Sequence, residues 1–350
     1  MNNTRLITKS IGLSSLSGKS RHDQLKSMII VDEANLGMLE KILQHNEWGH
    51  QVIYILTDSS TVKARFRFRS RIYSMNVNIR SLIRHDIVDE IVCCVSGLPI
   101  DYLKNLEDIC SQFGISLLVQ TGFNLTGLSF SKYGYIGHLT FYTLEHSPRH
   151  NYKYIVKTGV EIVFASCALF ILSPLLMLIV LLIKSTSRGP VIFKQLRVGL
   201  RGRKFYIYKF RTMIADAEKL RASLQTLNES DGPAFKIKHD PRITYVGRIL
   251  RKTGLDEIPQ LYNIMKGEMS LIGPRPMLPN EVSEQKEWQL KRLSIKPGIT
   301  CTWQIQPNRN SVPFERWMLL DRDYVENWTL KKDIKLFVRT VFSIFAAKGV

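Results

Sequence analysis

The chain has 350 residues and a mass of 40.3 kDa, more than one ordinary domain needs and enough for two. Hydrophobic residues make up 45% and charged residues 23%, which excludes global disorder and leaves ample material for packed cores. The formal charge of +19 is unevenly held: residues 1–150 carry 16 Lys/Arg against 13 Asp/Glu, and residues 151–350 carry 33 against 17. The second half is therefore where an anionic partner belongs, whether nucleic acid, a phospholipid surface or a phosphorylated substrate.

Met1–Ser20 is polar and has no apolar stretch, so it does not read as a secretory signal, and residues 1–21 are taken as a flexible N-terminus. From His22 to Gln120 short apolar runs alternate with helical stretches. Strands are predicted at Ser27–Val31, Gln51–Leu56, Asp89–Val95 and Ile115–Val119, and helices at Leu36–His45 and Tyr102–Phe113, the latter stopped by Gly114. The alternation predicts a small parallel α/β domain. In such folds the turn after the first strand often binds nucleotides. Here that turn, Val31–Gly37, holds Asp32 and Glu33 and lacks a glycine fingerprint, so a structural or regulatory role is favoured over dinucleotide binding. Lys63–Arg71 (KARFRFRSR) alternates at period two, which on a strand gives one cationic face and otherwise reads as a solvated edge or loop. Gly122–His150 reads as a final hairpin or linker. The five cysteines are odd in number, scattered and without metal-ligand spacing, which fits a reducing compartment.

Ile162–Ile183 is an uncharged apolar run of 22 residues. As a helix it would extend about 33 Å against a bilayer core of roughly 30 Å. Ser173-Pro174 lies at its centre, and proline removes a backbone donor there, so a kink or break is predicted. Both flanks are basic: Lys153 and Lys157 before, then Lys184, Arg188, Lys194 and Arg197 after. Positive flanks mark the cytoplasmic side, and a helix that enters and leaves by one leaflet satisfies both.

Beyond the membrane segment, strands are predicted at Val191–Gln195 and Phe205–Phe210 around the basic loop Arg197–Arg203. Lys209 and Arg211 fall in this cation-rich stretch, which anionic headgroups would attract. Asp240–Pro276 is the most informative segment. Its adjacent carboxylates Asp256 and Glu257 lie between Arg242, Arg248, Arg251 and Lys252 upstream and Arg275 downstream. Asp256 is placed as the cap of a helix from about Glu257 to Lys266, with Pro259 in its first turn and Gly267 at its stop. A carboxylate held ionised among cations can attack phosphorus or hold a divalent ion.

At these residues the sequence resembles the bacterial sugar transferase family of monotopic polyprenyl-phosphate sugar-1-phosphate transferases. The likeness runs in order through Ser173-Pro174, Ile183–Met213, Asp240–Pro276 (DPRITYVGRILRKTGLDEIPQLYNIMKGEMSLIGPRP), Lys296–Ile305 (KPGITCTWQI) and Leu320–Thr340 (LDRDYVENWTLKKDIKLFVRT). It implies an α/β chain with an N-terminal Rossmann-like parallel-sheet domain (residues 22–150). A re-entrant membrane helix broken at Ser173-Pro174 (151–184) and a mostly helical α+β catalytic domain on the cytoplasmic face of the inner membrane (185–350) complete it. It further implies a UDP-sugar donor, an undecaprenyl phosphate acceptor and Mg2+. Asp256 becomes the nucleophile that attacks the sugar-bearing phosphate, UMP leaves, and Glu257 binds Mg2+ with Asp256 or manages protons. Arg251 matches an acceptor-phosphate arginine and Arg275 a donor-phosphate turn; Lys209, Arg211 and Arg242 complete the substrate-binding cations. Inner-membrane lipids are expected partners, as are a second copy of the chain or downstream glycosyltransferases, and nucleic acid is not.

Three departures stand out: Glu268 where Asp is usual, Gly254 before Leu-Asp-Glu where Ser is common, and Cys301 where Gly is common. None touches the dyad. Lys296–Gly298 and Gln304–Arg309 are candidate donor-reading loops, and Asn280–Leu293 is amphipathic enough to lie on a membrane or to pack as core. A non-catalytic membrane-tethered adaptor is the alternative, and an NAD-dependent sugar-nucleotide enzyme is disfavoured by the missing fingerprint.

Overall fold

The computed structural model describes residues 25–44, 50–67, 70–95, 97–120, 132–136, 139–148, 151–217, 219–220, 223–224, 237, 240–306 and 312–345. The chain forms two compact units, Met1–Cys110 with Ile115–Glu145, and Ser111–Gly114 with His146–Val350.

The first unit is a mixed sheet flanked by helices. Its strands are β1 (Leu25–Val31), β2 (His50–Leu56), β3 (Arg71–Tyr73), β4 (Glu90–Cys94), β5 (Ser116–Gln120), β6 (Lys132–Ile136) and β7 (Leu139–Leu144), in the order β3-β2-β1-β4-β5-β7-β6. The first five in that order are parallel, and β7 and β6 add antiparallel at the edge. Its helices are α1 (Leu36–Gln44), α2 (Ser60–Phe66), α3 (Ile79–His85) and α4 (Ile100–Phe113), the last three residues of α4 being counted with the second unit. The central strands are apolar on both faces because both are covered. Ile29, Val31, Ile55, Val92 and Cys94 pack with Leu39 and Ile42 of α1 and Val62 and Phe66 of α2, while Met28, Ile30, Cys93 and Leu117 are buried on the opposite face. Ser27 of β1 donates a 2.6 Å hydrogen bond to the Glu90 carboxylate opposite it on β4, so this buried acid is partnered. The acids of the first turn are engaged locally: Asp32 accepts from the Asn35 backbone and side chain, and Glu33 from Ser59 and Thr61.

Lys63–Arg71 meets neither the strand reading nor the favoured solvated edge or loop throughout: Lys63 and Arg65 lie on α2, and among its described residues only Arg71 enters a strand. The helix wins because Ser59 caps it through the Val62 N–H and because Val62 and Phe66, four apart, are buried on one face. Phe68 and Arg69 fall outside the described residues, as do Met1–Ser20 and the first part of Gly122–His150.

In the second unit, α5 (Tyr152–Ile171) and α6 (Ser173–Thr186) meet at Leu172, with Pro174 in the first turn of α6 and Ser173 Oγ donating to the Phe170 carbonyl at 2.7 Å. α5 is long and apolar enough to cross a membrane. It begins well before the uncharged run and carries Lys157 and Glu161 on its one buried face, with Tyr154 and Ala165. Lys157 donates to the Ile272 carbonyl at 2.9 Å and pairs with Asp333 at 2.8 Å, and Ser270 Oγ donates to Glu161. Phe170, Ile171 and Met177, around the break, are among the most exposed apolar side chains described.

The hairpin β8 (Ile192–Val198) and β9 (Lys204–Phe210) follows, then α7 (Tyr245–Thr253), α8 (Gln260–Met265), β10 (Ser270–Ile272), α9 (Pro279–Ser283), β11 (Gly298–Thr300), α10 (Phe314–Glu326) and α11 (Leu330–Phe345). β10 and β11 pair in parallel. Ala165 of α5 packs with Phe205 and Ile207 of β9 and Leu261 and Ile264 of α8. Ile179 and Ile183 of α6 pack with Phe210, Val246 and Leu250. The apolar helices thus rest on β9, α7 and α8. The amphipathic stretch Asn280–Leu293 packs as core, with Gln289, Leu290 and Arg292 buried.

Candidate active site

Lys209 is the penultimate residue of β9, Arg251 lies in the last turn of α7, and the carboxyl dyad occupies the turn after α7. Gly254 stops that helix at φ +72°, a left-handed conformation that favours glycine. Leu255–Glu257 then forms a single 3-10 turn, and α8 begins only at Gln260. Asp256 is therefore not the cap of a helix from Glu257 to Lys266. Gly254 and Pro259 hold the cap positions instead, and Asp256 lies within the tight turn. Three contacts fix that turn against β9. Asn263 of α8, fully buried, accepts from the Tyr208 N–H and donates to the Tyr206 carbonyl, and Lys209 Nζ meets Glu257 Oε1 at 2.6 Å. Glu268, the departure from the common Asp, accepts from Asn263 and Lys266 at 2.7 and 2.6 Å and so helps hold this anchor.

The two carboxyls meet opposite environments. Asp256 is buried, and among the described residues it makes no ion pair. Burial pushes its pKa up to about 6, against the pull of Lys209 and Arg251 and with the neighbouring Glu257 adding to the rise. Burial acts on Glu257 in the same direction, but Lys209 and then Arg275 outweigh it and hold that carboxyl below its usual range. Neighbouring carboxyls whose environments separate their protonation in this way are candidates for acid–base or nucleophilic work.

Arg251 donates from Nε to Thr212 Oγ1 at 2.9 Å and feels the charges of Asp256 and Glu257. Arg275, in Gly273–Pro276, lies near enough to Glu257 to lower its pKa. Asp256, Glu257, Lys209, Arg251 and Arg275 are thus brought together. Arg242 and Arg211 have other work. Arg242 grips Asp240 through two hydrogen bonds of 2.9 and 2.6 Å, both residues buried, and donates to the Ala217 carbonyl. Arg211 donates to the backbone and hydroxyl of Ser187 at the end of α6, and among the described residues its buried Nε and Nη1 find no partner. Sequence reasoning missed Asn263, Thr212, Trp303, Arg292 and Asp321. A polar residue in an apolar stretch, as at Asn263, is the signal that was available. Of the candidate donor-reading loop Gln304–Arg309, residues 307–309 lie outside the described residues.

Among the described residues no group of three or more His, Cys, Asp or Glu could hold a metal ion. The dyad nevertheless fits Mg2+, which keeps waters and takes one or two carboxylates together with substrate phosphates rather than an all-protein cage. Asp256 and Glu257 supply such a pair, with Lys209, Arg251 and Arg275 around them.

The family model for bacterial sugar transferase matches residues 152–347, almost the whole of the second unit. The chain is 33% identical over 329 residues to the galactosyl transferase CpsE of Streptococcus agalactiae, covering 90% of this chain and 71% of that protein. It is 36% identical over 199 residues to the exopolysaccharide production protein ExoY of Rhizobium meliloti, covering 56% of this chain and 88% of that one. It is also 40% identical over 202 residues to an undecaprenyl-phosphate galactose phosphotransferase of Salmonella typhimurium, covering 55% and 41%.

Proposed function

The chain belongs to the bacterial sugar transferase family, and on that premise we propose that it transfers a sugar 1-phosphate from a UDP-sugar to undecaprenyl phosphate, releasing UMP. The step opens exopolysaccharide or O-antigen-type glycan assembly at the inner membrane. The observation that carries this reading is the buried, unpaired Asp256 beside the Lys209–Glu257 pair, with Arg251 and Arg275 around them. The names of the relatives, galactose phosphotransferase and exopolysaccharide production protein among them, support the reaction class.

In the first half-reaction an Asp256 carboxylate oxygen attacks the phosphorus that bears the sugar. The bond from that phosphorus to the bridging oxygen breaks and UMP departs with the electron pair. A sugar phosphate then sits on Asp256 as an acyl phosphate. In the second, a phosphate oxygen of undecaprenyl phosphate attacks the same phosphorus, the carboxylate leaves, and undecaprenyl diphosphosugar forms. Asp256 must be ionised to attack, and a pKa of about 6 leaves it mostly so at neutral pH while retaining basicity. Lys209 keeps Glu257 ionised and its charge local; Arg251 and Arg275 stabilise the phosphoryl oxygens of acceptor and donor. Asp256 and Glu257 would hold Mg2+, which would supply further charge neutralisation at the phosphates.

We read α5 and α6 as a re-entrant hairpin with the catalytic unit on the cytoplasmic face. The attachment of both ends to one fold supports this. The start of α5 is tied to Ile272 and Asp333, and the end of α6 to Arg211, whereas a straight span would part them. The first unit we read as a Rossmann-like domain of structural or regulatory role, supported by its parallel strand order β3-β2-β1-β4-β5. Nothing in the site favours the adaptor reading, since the dyad is intact.

The test is UMP release by the membrane fraction with undecaprenyl phosphate, Mg2+ and a panel of UDP-sugars. Release from one or two donors is expected, with none from Asp256→Asn; full activity in that variant would remove Asp256 as nucleophile.

A further inference from the structure

Arg275 sits in a turn whose backbone is pinned residue by residue. The Pro274 carbonyl accepts from the Gly298 N–H at 2.9 Å, and the Arg275 carbonyl from Arg292 Nη2 at 2.7 Å. The Pro276 carbonyl accepts from Arg197 Nη1 at 3.1 Å, and the Met277 carbonyl from the Val198 N–H at 2.9 Å. Four successive carbonyls are held by three separate stretches of chain. Before them, a Cβ on Gly273 would lie 2.5 Å from the Lys296 carbonyl oxygen, so the turn approaches its neighbour as closely as backbone allows.

The side chain is supported in another way. The Arg275 guanidinium carbon lies 6.0 Å from the centre of the Trp303 ring, within cation–π range. Trp303 in turn stacks on Trp317 with centroids 4.2 Å apart and planes 8° from parallel. Trp317 stands on α10, which also carries Asp321. That carboxylate accepts from Nε and Nη2 of Arg292 at 3.1 and 2.7 Å, so the residue that grips the Arg275 carbonyl is itself braced in a buried ion pair. Meanwhile the Arg275 guanidinium, among the described residues, donates no hydrogen bond. Its charge reaches both Glu257 and Asp321. A cation held from behind, its N–H donors unspent among the described residues, is preorganised for an anion.

We infer that Trp303 and Arg292, backed by Trp317 and Asp321, are positioning residues that hold the Arg275 guanidinium for the diphosphate of the donor. The inference rests on the proposed function for its ligand, and on the geometry alone for the column itself. The indole face attracts the guanidinium charge without taking any of its donors. The carbonyl clamp fixes the root of the side chain.

A double-mutant cycle tests this, because a residue that acts only through Arg275 has nothing left to do once Arg275 is gone. Full-length protein in lipid nanodiscs carries Arg275→Ala, Trp303→Ala, both together, or Trp303→Phe. Affinity for UDP and for inorganic pyrophosphate is measured by calorimetry, and thermal unfolding confirms that each variant is folded. Each alanine variant is expected to weaken both ligands about tenfold, corresponding to about 1.4 kcal/mol. The double variant should be no weaker than Arg275→Ala, and Trp303→Phe should retain most of the affinity. Arg292→Lys, which keeps the charge against Asp321 but loses the fork, should raise the donor KM and leave the undecaprenyl phosphate KM unchanged. Losses that multiply in the double variant, or unchanged affinity in Trp303→Ala, overturn the column. Pyrophosphate binding that follows the cycle in a protein that releases no UMP removes the donor assignment and keeps the column. No binding of either ligand removes both.

Discussion

At the dyad, two adjacent carboxyls titrate apart because one is buried without an ion-pair partner and the other touches a lysine. The sign of the consequence follows from the shift. Asp256 has its folded pKa raised from 3.8 to about 6, so the native state binds its proton more readily than the unfolded chain. Its protonated form favours folding, and that benefit is lost as pH rises through about 6. Asp256→Asn should therefore be more stable than the wild type above pH 6, by up to about 3 kcal/mol, and melt at a higher temperature. The gap should close as pH falls towards the ordinary carboxylate range. UMP release should move the opposite way, rising with an apparent pKa near 6 as the nucleophile ionises. A pH–rate profile beside pH-dependent melting of the variant checks both. A rate that stays flat down to pH 5 would mean that Asp256 ionises as an ordinary carboxylate. The neighbouring Asp-Glu residues and their flanking arginines were legible in the sequence, because their spacing alone places charge beside charge. The partition of those arginines was not. Arg242 and Arg251 are both cations upstream of the dyad, and only folding shows that one is gripped by Asp240 while the other bonds Thr212 from α7 and feels the charges of Asp256 and Glu257.

Elements were legible where a single periodicity dominated and obscure where two competed. β1, β2 and β4 are near-continuous apolar runs and could scarcely be read as anything else. α2 was hidden because Phe66 and Phe68 alternate with arginines, whereas the four-residue spacing of Val62 and Phe66 and the Ser59 cap decide the helix. The turn 255–257 was misassigned for a related reason: an acid followed by proline and a later glycine imitates a capped helix, but Gly254 turns the chain first. The same scale explains how α7 is aimed. A Cβ at Gly247 would lie 2.0 Å from the Thr212 carbonyl oxygen, and that carbonyl accepts from the Thr244 N–H at 3.0 Å. α7 therefore touches the strand end through backbone, which is what brings Arg251 within 2.9 Å of Thr212 Oγ1. Gly247→Ala should push the two apart, destabilising the unit by about 1–3 kcal/mol and lowering UMP release at temperatures where the protein is still folded. Tyr245→Ala, exposed on the same helix, should change stability little. Equal melting temperatures for the two variants would show that α7 has room to move.

On the scale of the whole chain, the division of charge foretold the division of labour. The excess of cations lies in residues 151–350, and the dyad, the apolar hairpin and the match to the family model all fall there. The first half, nearly neutral, has a parallel sheet whose leading turn holds acids already bonded to neighbours, a poor setting for phosphate. Its role was illegible because a well-packed sheet advertises stability and little else. The alignment with ExoY, which spans 88% of that protein and 56% of this chain, indicates that a polypeptide of roughly the second unit's extent can exist by itself. The core clusters of that unit also draw on its own elements, from α5 through α11. A fragment beginning at His146 and running to Val350 should therefore fold in membranes, melt cooperatively and release UMP within about threefold of the full chain's kcat, since no group assigned to the chemistry is lost. The comparison uses both proteins in nanodiscs at matched concentration, with the preferred UDP-sugar varied. Equal kcat with equal KM would confine the first unit to structural or regulatory work. A folded fragment that binds UDP yet turns over more than a hundredfold slower would place the first unit within the catalytic cycle. A shift in donor KM alone would make it an aid to donor capture, a role its acidic loops do not suggest.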